Sequence, residues 1–258
     1  MSSLLGFSGK DMWDGPHVIV QCKRALSPSG SPGADHSLNP YGGCEHGCLY
    51  CYAQELTHTP WNEWRVVKVK GNLLDRLDRE LPNTDGVICV GTVTDPYQNA
   101  ESRFELTREC VRKLCASKRR IHIDTKSDLI LRDIDLLKTA DGDFSLTITT
   151  LDDRISKMTE PGAPLPERRL DAMREMVSEG LRTYALVGPV LSTLEGKEAE
   201  LVEAIASTGV RRIYVDKLRE RPLLKKRMER LGIGGSQTSV ERIRAEGKTR
   251  GLEVLNVF

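Results

Sequence analysis

The sequence predicts an α/β protein built as a partial, TIM-like (β/α)6 barrel with parallel strands. From residue 37 onward, short apolar runs alternate with helical patterns, and strands separated by helices of about 10–15 residues are typical of repeated βαβ units. About six such units fit into the chain. An open, doubly wound sheet is the alternative. Neither GxGxxG after the first strand nor GxxxxGK[ST] occurs, so the two commonest nucleotide-binding fingerprints are absent.

The first strand of this array is expected near residues 37–41 (SLNPY). Five further apolar runs predict the other strands, at 86–93, 119–125, 143–150, 181–188 and 210–216. The helical patterns between them lie at 102–117, 127–140, 166–180 and 195–207. The last two begin with Pro or Glu and end near Gly, as helices commonly do. A separate apolar run at 17–21 (HVIVQ) predicts one more strand outside the array.

Three regions are expected along the chain: an N-terminal extension at 1–36, the barrel at 37–218 and a basic segment at 219–258. The net charge is only +1, yet residues 211–250 hold 13 Lys and Arg against 5 Asp and Glu. A basic end on an otherwise acidic chain can mark a contact with nucleic acid. A solvated helix of alternating charge is the other interpretation of this segment.

Composition bears on the location of the protein and on the role of its cysteines. No run of about 18 apolar residues occurs, so no membrane span is expected. The first residues lack the basic and apolar regions of a signal peptide, so we expect a cytoplasmic protein. Three of the seven cysteines fall within eight residues. This crowding favours a metal or cluster site over a disulfide framework.

The three crowded cysteines lie in the loop NPYGGCEHGCLYCYA, directly after the first predicted strand. Cys44, Cys48 and Cys51 have the spacing C-x3-C-x2-C. Three thiolates on a [4Fe–4S] cluster leave one iron open for a further ligand. A Cys3His zinc site that includes His46 is the alternative. Structural zinc sites usually pair a CxxC knuckle with a distant second pair, which is not evident here.

This loop resembles the signature of the radical S-adenosylmethionine (SAM) superfamily, CxxxCxΦC, in which Φ is aromatic and is Tyr50 here. The wider sequence resembles the spore photoproduct lyase-like branch, often labelled "DNA repair photolyase". The similar segments are NPYGGCEHGCLYCYA, GTVTDPYQNAESRFELTREC, IDTKSDLILRDIDLL, SLTITTLDD and EPGAPLPERRLDAM. They follow one another in order across roughly residues 37–190.

The resemblance implies a radical SAM fold and two cofactors, a [4Fe–4S] cluster on Cys44, Cys48 and Cys51, and SAM. It also implies roles for five other residues. Tyr50 would pack near the adenine, Tyr52 would serve in radical transfer, Thr94 would contact SAM, Lys126 would pair with its carboxylate and Arg169 would lie near the same cofactor.

The implied activity is reductive cleavage of SAM to a 5′-deoxyadenosyl radical that abstracts hydrogen from a substrate. The resemblance also implies an electron donor of the flavodoxin or ferredoxin type. Where the lyases place a hydrogen-donating cysteine after the second strand, this sequence has Thr92, with Cys89 inside the strand. Lyase activity itself is therefore not expected. A nucleic acid is the leading substrate; a peptide or protein, a small molecule and a non-catalytic cluster or zinc module are the alternatives.

Overall fold

A computed structural model describes residues 17–219 and 221–257. Eleven strands in this part of the chain form two sheets. The strands are β1 (His17–Val20), β2 (Leu26–Pro28), β3 (His36–Leu38), β4 (Tyr41–Gly42), β5 (Val67–Lys70), β6 (Ile88–Val90), β7 (Ile121–Thr125), β8 (Gly142–Thr147), β9 (Thr183–Val190), β10 (Arg212–Lys217) and β11 (Glu253–Asn256).

The larger sheet confirms the predicted parallel array. Its strand order is β11-β10-β9-β8-β7-β6-β3-β2. All pairs from β3 to β11 are parallel, and β2 joins one edge antiparallel to β3. The six predicted strands correspond to β3 and β6 to β10, in the expected order. The strand β11, at the opposite edge from β2, was not predicted.

Ten α-helices in the described residues connect or flank these strands. They are α1 (Ala53–Leu56), α2 (Leu73–Glu80), α3 (Asn99–Phe104), α4 (Leu106–Ala116), α5 (Ile134–Leu137), α6 (Asp153–Thr159), α7 (Pro166–Ser178), α8 (Glu198–Ala206), α9 (Pro222–Arg230) and α10 (Gln237–Thr249). The predicted helices at 166–180 and 195–207 correspond to α7 and α8.

The single helix predicted at 102–117 is wrong, because the chain breaks into α3 and α4 at Glu105, whose φ is +49°. The cause is a buried carboxylate from the preceding turn. Glu101 accepts hydrogen bonds from the backbone N–H groups of Thr107 (2.7 Å) and Arg108 (3.1 Å). These groups belong to the first turn of α4 and would otherwise lack partners. Capping them allows a separate helix, α4, to begin at Leu106.

The predicted helix at 127–140 is also shorter than expected. A 3-10 helix at Asp128–Asp133 precedes α5. The side chain of Ser127 accepts a hydrogen bond from the backbone N–H of Leu129, as expected for a residue that caps the following helix.

Both flanking regions contact the barrel. The strand predicted at 17–21 is β1, which pairs parallel with β5 in a small sheet of order β1-β5-β4. In the C-terminal region, α10 buries Val240 and Ile243, and β11 extends the large sheet beside β10. The division at 1–36, 37–218 and 219–258 stays a prediction. No helix in the described part of the chain is long and apolar enough to span a bilayer.

Candidate active site

The three loop cysteines line one cavity at the carboxyl ends of the parallel strands. The cavity has a volume of about 560 Å³, and Lys126, which follows β7, lines it as well. A cavity of this size suits a small-molecule ligand. The loop, the end of β7 and the cavity therefore meet where parallel barrels commonly place their chemistry.

The shape of the loop depends on glycine and on a neighbouring segment. Gly43 has φ +77°, and a Cβ there would lie 2.7 Å from the carbonyl oxygens of both Trp64 and Val66. On the other side, the backbone N–H of Gly162 donates to the His46 carbonyl (3.0 Å), and Leu49 N–H donates to Thr159 (2.8 Å). The segment 159–162 therefore supports the loop by backbone contact.

All three thiols are free of disulfides and face a poorly solvated environment. Burial raises the pKa of Cys48 to about 12 and raises the pKa values of Cys44 and Cys51 as well. No described group of three or more His, Cys, Asp or Glu side chains is arranged to hold a single metal ion. This finding counts against a zinc site but not against a [4Fe–4S] cluster, because each cysteine of a cluster binds a separate iron.

The side chain of His46 contacts Asp95. Its Nδ1 lies 3.2 Å from the carboxylate of Asp95, in the loop after β6. Asp95 also accepts from the hydroxyl of Thr125 (2.6 Å) and the backbone N–H of Lys126 (2.9 Å). Burial alone would raise the pKa of Asp95, but His46 and these hydrogen bonds hold it well below its usual range. Asp95 thus links the cysteine loop to the end of β7.

Lys126 is a half-buried cation beside the loop. Its Nζ lies 5.5 Å from the centroid of the Tyr50 ring, and it takes part in none of the ion pairs formed within the described residues. Burial would lower the pKa of Lys126, but electrostatic interactions with Cys48 and Glu160 raise it. The ammonium group is therefore charged and available to an anion in the cavity.

Thr94 lines the same cavity and also holds the loop. Its hydroxyl donates to the carbonyl of Gly43 (2.5 Å) and accepts from Gln98 Nε2 (2.9 Å). Gln98 in turn accepts from the backbone N–H of Glu45 (2.8 Å). This hydrogen bonding makes Thr94 part of the scaffold of the loop.

Arg169 and Tyr50 meet through Glu160. The carboxylate of Glu160 pairs with the Arg169 guanidinium and accepts the Tyr50 hydroxyl and the Thr149 hydroxyl (2.6 Å). Arg169 is fully buried, also donates to the carbonyls of Pro164 and Thr147, and does not line the cavity. It therefore lies behind Tyr50, one layer away from the cavity.

Tyr52 lines the cavity on the side of the C-terminal segment. Its hydroxyl lies 3.4 Å from the carbonyl oxygen of Thr92, and the guanidinium of Arg219 stacks 4.8 Å from its ring centroid. The Thr92 hydroxyl accepts a hydrogen bond from Asn39 Nδ2 (3.1 Å), and Cys89 is a fourth thiol that lines the cavity.

A family model described as the radical SAM superfamily matches residues 38–205. The chain belongs to this superfamily. As a radical SAM enzyme it uses a [4Fe–4S] cluster and SAM as cofactors.

Two relatives share the sequence over most of its length. A protein of Methanocaldococcus jannaschii is 33% identical over 182 residues, which cover 69% of this chain and 68% of that protein. A protein of Mycobacterium tuberculosis is 31% identical over 212 residues, which cover 74% of this chain and 62% of that protein. The chain thus spans less than two thirds of the mycobacterial relative.

Solved structures share the fold. Spore photoproduct lyase complexed with dinucleoside spore photoproduct has a TM-score of 0.71 at 15% identity, covering 92% of this chain and 81% of that one. Streptococcus suis SuiB bound to S-adenosylmethionine has a TM-score of 0.57 at 14% identity, covering 94% of this chain and 50% of that one. The expected radical SAM fold is confirmed.

The residues of the cavity fit these two cofactors. Three free thiols from one loop line the same space, and beside them lies a charged ammonium that pairs with no carboxylate in the described part of the chain. A cluster needs the thiols, and the carboxylate of SAM needs a cation.

Sequence reasoning missed two residues of this region. Nothing in the local sequence singles out Glu160, and Asp95 before Pro96 has the pattern of an ordinary turn former. Both are buried acids whose partners come from distant parts of the chain. The only local signal for either residue is an acidic side chain within a segment that is otherwise apolar or rich in glycine.

Proposed function

We propose that this radical SAM enzyme cleaves SAM reductively and uses the resulting radical to abstract hydrogen from a substrate. The supporting observation is that Cys44, Cys48, Cys51 and Lys126 all line one cavity. When bound, the reduced cluster supplies the electron that divides SAM into methionine and a 5′-deoxyadenosyl radical. The chain itself binds, orients and shields these groups.

Lys126 is proposed to hold the carboxylate of SAM. A lysine at the end of a strand acts as a point charge, and its backbone is fixed by the hydrogen bond to Asp95. Tyr50 is proposed to pack beside the adenine, with its hydroxyl held by Glu160. Arg169 would fix Glu160, and so acts on the cofactor only through Tyr50.

Thr94 and Tyr52 complete the proposed site. Thr94 would contact SAM at the same time as it holds Gly43. Tyr52 is proposed as the residue of radical transfer, because it follows Cys51 directly and lines the cavity. Its stacking on Arg219 fixes the ring position.

A nucleic acid is the substrate class that we favour. Lys217 lines the cavity together with three arginines that also pair with carboxylates, Arg120 with Asp143, Arg212 with Glu253 and Arg219 with Asp216. Basic side chains are the usual partners of phosphates. Binding should then weaken steeply as the salt concentration rises. The peptide alternative is supported by the fold shared with SuiB bound to precursor peptide SuiA. Co-purification of a small partner protein would favour it.

The electron donor is proposed to approach from the outside of the cysteine loop, because the inner side faces the cavity. There, α9 covers the loop: Leu224 and Met228 pack in one cluster with Cys48 and Tyr50. Glu55 in α1 accepts a hydrogen bond from the Leu224 backbone N–H (2.7 Å).

The outer face of this cover combines cations and apolar side chains. Lys226 and Arg230 of α9 are exposed. Leu223 is 61% exposed, Leu56 48% and Trp61 37%. Exposed apolar side chains with cations beside them favour docking of an acidic partner. The complementary partner is an acidic one-electron carrier of the flavodoxin or ferredoxin type. Such a partner and free thiols both fit the reducing cytoplasm, which we propose as the location.

The test is anaerobic reconstitution, reduction with dithionite and an assay for 5′-deoxyadenosine. Wild type should hold about four irons per chain and form 5′-deoxyadenosine. Cys44→Ala, Cys48→Ala and Cys51→Ala should each lose both properties. Cys115→Ala, a half-buried thiol that contacts the Leu136 carbonyl, is the matched control and should keep them. Zinc in place of iron and sulfide, or no cleavage by a fully loaded protein, would contradict the proposal.

A further inference from the structure

Polar side chains line the barrel interior directly below the cysteine loop. Asp124, Ser145 and Tyr184 are register neighbours on β7, β8 and β9, and so form one row across three strands. Cys89 and His122 are partners on β6 and β7, one step further from the loop. Bulky apolar residues usually fill such positions in a barrel. Asp124 and Tyr184 of this row line the cavity instead, which suggests ligand recognition.

The hydrogen bonds of this row orient the Asp124 carboxylate. Its Oδ1 accepts hydrogen bonds from the hydroxyls of Ser145 and Tyr184 (2.8 Å for the latter), and His122 Nε2 lies 3.3 Å from the same oxygen. Within the described residues, Oδ2 accepts no hydrogen bond. Burial would raise the pKa of Asp124, but these bonds lower it, so the group stays ionised. One oxygen is fixed and the other is an open acceptor.

The Asp124 side chain lines the same cavity as the cysteines. The Asp124 side chain keeps 34% of its surface accessible although it lies between strands of the barrel. It precedes Lys126 by two residues, about 6.6 Å along the strand. A substrate that reaches past Lys126 into the barrel would meet it.

Aromatic rings flank the same space. Tyr184 and Tyr214 pack edge to face with ring centroids 4.9 Å apart, and both line the cavity. Tyrosine faces pack well against flat rings. A flat ring that donates N–H would satisfy both the aromatic pair and the open oxygen. An aliphatic amide would use only the oxygen.

We infer that Asp124 is the substrate-recognition residue of the barrel interior, and that it takes a nitrogen heterocycle with an N–H edge, as a nucleobase offers. Ser145 and Tyr184 are positioning residues that hold Oδ1. This inference rests on the proposed function, since it places the substrate in the cavity that holds SAM.

The test measures the dissociation constants of uridine and 3-methyluridine for the reconstituted, SAM-loaded protein by calorimetry. The two nucleosides differ only at N3, which carries hydrogen in uridine and a methyl group in 3-methyluridine. Because a hydrogen bond to a charged group is lost on methylation, uridine should bind wild type about tenfold more tightly or better. In Asp124→Asn this preference should fall below about threefold. Asp143→Asn is the control: it lines the same cavity, but its carboxylate already pairs with Arg120 and Arg182, so the preference should persist.

Ser145→Ala serves as the second variant. It should reduce the preference for uridine in part, because it removes one of the hydrogen bonds that hold Oδ1. Equal binding of the two nucleosides by wild type, a preference that survives in Asp124→Asn, or no binding of uridine up to about 10 mM would overturn the inference. Tighter binding of N-acetylglycinamide than of uridine would overturn the assignment of a heterocycle and indicate a peptide substrate. SAM cleavage by dithionite-reduced wild type is scored separately. No SAM cleavage would contradict the proposed function. SAM cleavage by a protein that binds uridine and 3-methyluridine equally would contradict only this inference.

Discussion

The guanidinium of Arg169 forms a fully buried ion pair with Glu160, the residue that also accepts the hydroxyl of Tyr50. Burial would raise the pKa of Glu160, but Arg169 and Lys126 lower it to about 2. The acid therefore stays ionised across the physiological range, and the arginine fixes it beside the hydroxyl of Tyr50.

Loss of Arg169 should be costly because it leaves a carboxylate buried without its cation. Arg169→Met should lower the free energy of unfolding by about 3–5 kcal/mol, measured by anaerobic urea denaturation. Arg168→Met is the control, since Arg168 is 63% exposed and pairs with Asp128 at the surface; it should change stability by under about 0.5 kcal/mol. Equal effects of the two substitutions would refute this role for Arg169.

Gly162 should tolerate no side chain. A Cβ at this position would overlap the carbonyl oxygen of Glu45 in the cysteine loop. Gly162→Ala should therefore displace the loop, cost about 1–3 kcal/mol and lower the iron content after reconstitution. Gly234→Ala is the control, because nothing lies within 4 Å of a Cβ there. Full iron loading of Gly162→Ala, measured per chain, would contradict the prediction.

Local patterns were sufficient for the parts of the fold that depend on neighbouring residues. Buried parallel strands are short continuous apolar runs, and each of the six predicted runs lies in the sheet. The cysteine loop is likewise local, since its three thiols fall within eight residues. The spacing alone indicated that they serve one centre, and the cavity brings them together.

Long-range partners could not be predicted in the same way. Tyr50 and Glu160 are 110 residues apart, and nothing near either one indicates the other. In the C-terminal segment, the abundance of charge obscured the apolar residues of α10, and Val254 and Leu255 of β11 are too few to signal a strand alone. Pairing with β10 stabilises that strand.

Lys126 should control the affinity for SAM and leave cluster binding unaffected. Removing a cation from a charge-assisted hydrogen bond costs about 1.5–3 kcal/mol. Lys126→Met should therefore raise the dissociation constant for SAM about 10- to 100-fold at unchanged iron content, measured by equilibrium binding. Lys138→Met, which removes an exposed lysine paired with Glu179, is the control. Unchanged SAM affinity in Lys126→Met would remove this lysine from the site.

Charge reversal on α9 should slow SAM cleavage that is supported by a protein electron donor but not cleavage that is supported by a chemical reductant. Lys226→Glu with Arg230→Glu should slow SAM cleavage supported by flavodoxin by about tenfold or more at low salt, because an acidic partner is repelled. Cleavage with dithionite, which needs no docking, provides the reference. Arg244→Glu with Lys248→Glu reverses two exposed cations of α10 and should leave the flavodoxin rate unchanged. Equal slowing by both pairs would indicate a general charge effect rather than docking on α9.

In the part of the chain that the structure describes, the large sheet ends at β2 on one side and β11 on the other, and the two are not paired. The turn at 31–34 and residues 256–257 line the central cavity from these opposite edges. A closed barrel admits a substrate only through its end, so a polymer would have to be threaded. An open one lets a long strand lie across the gap with a single unit inserted, and the length of the polymer then sets no limit on entry.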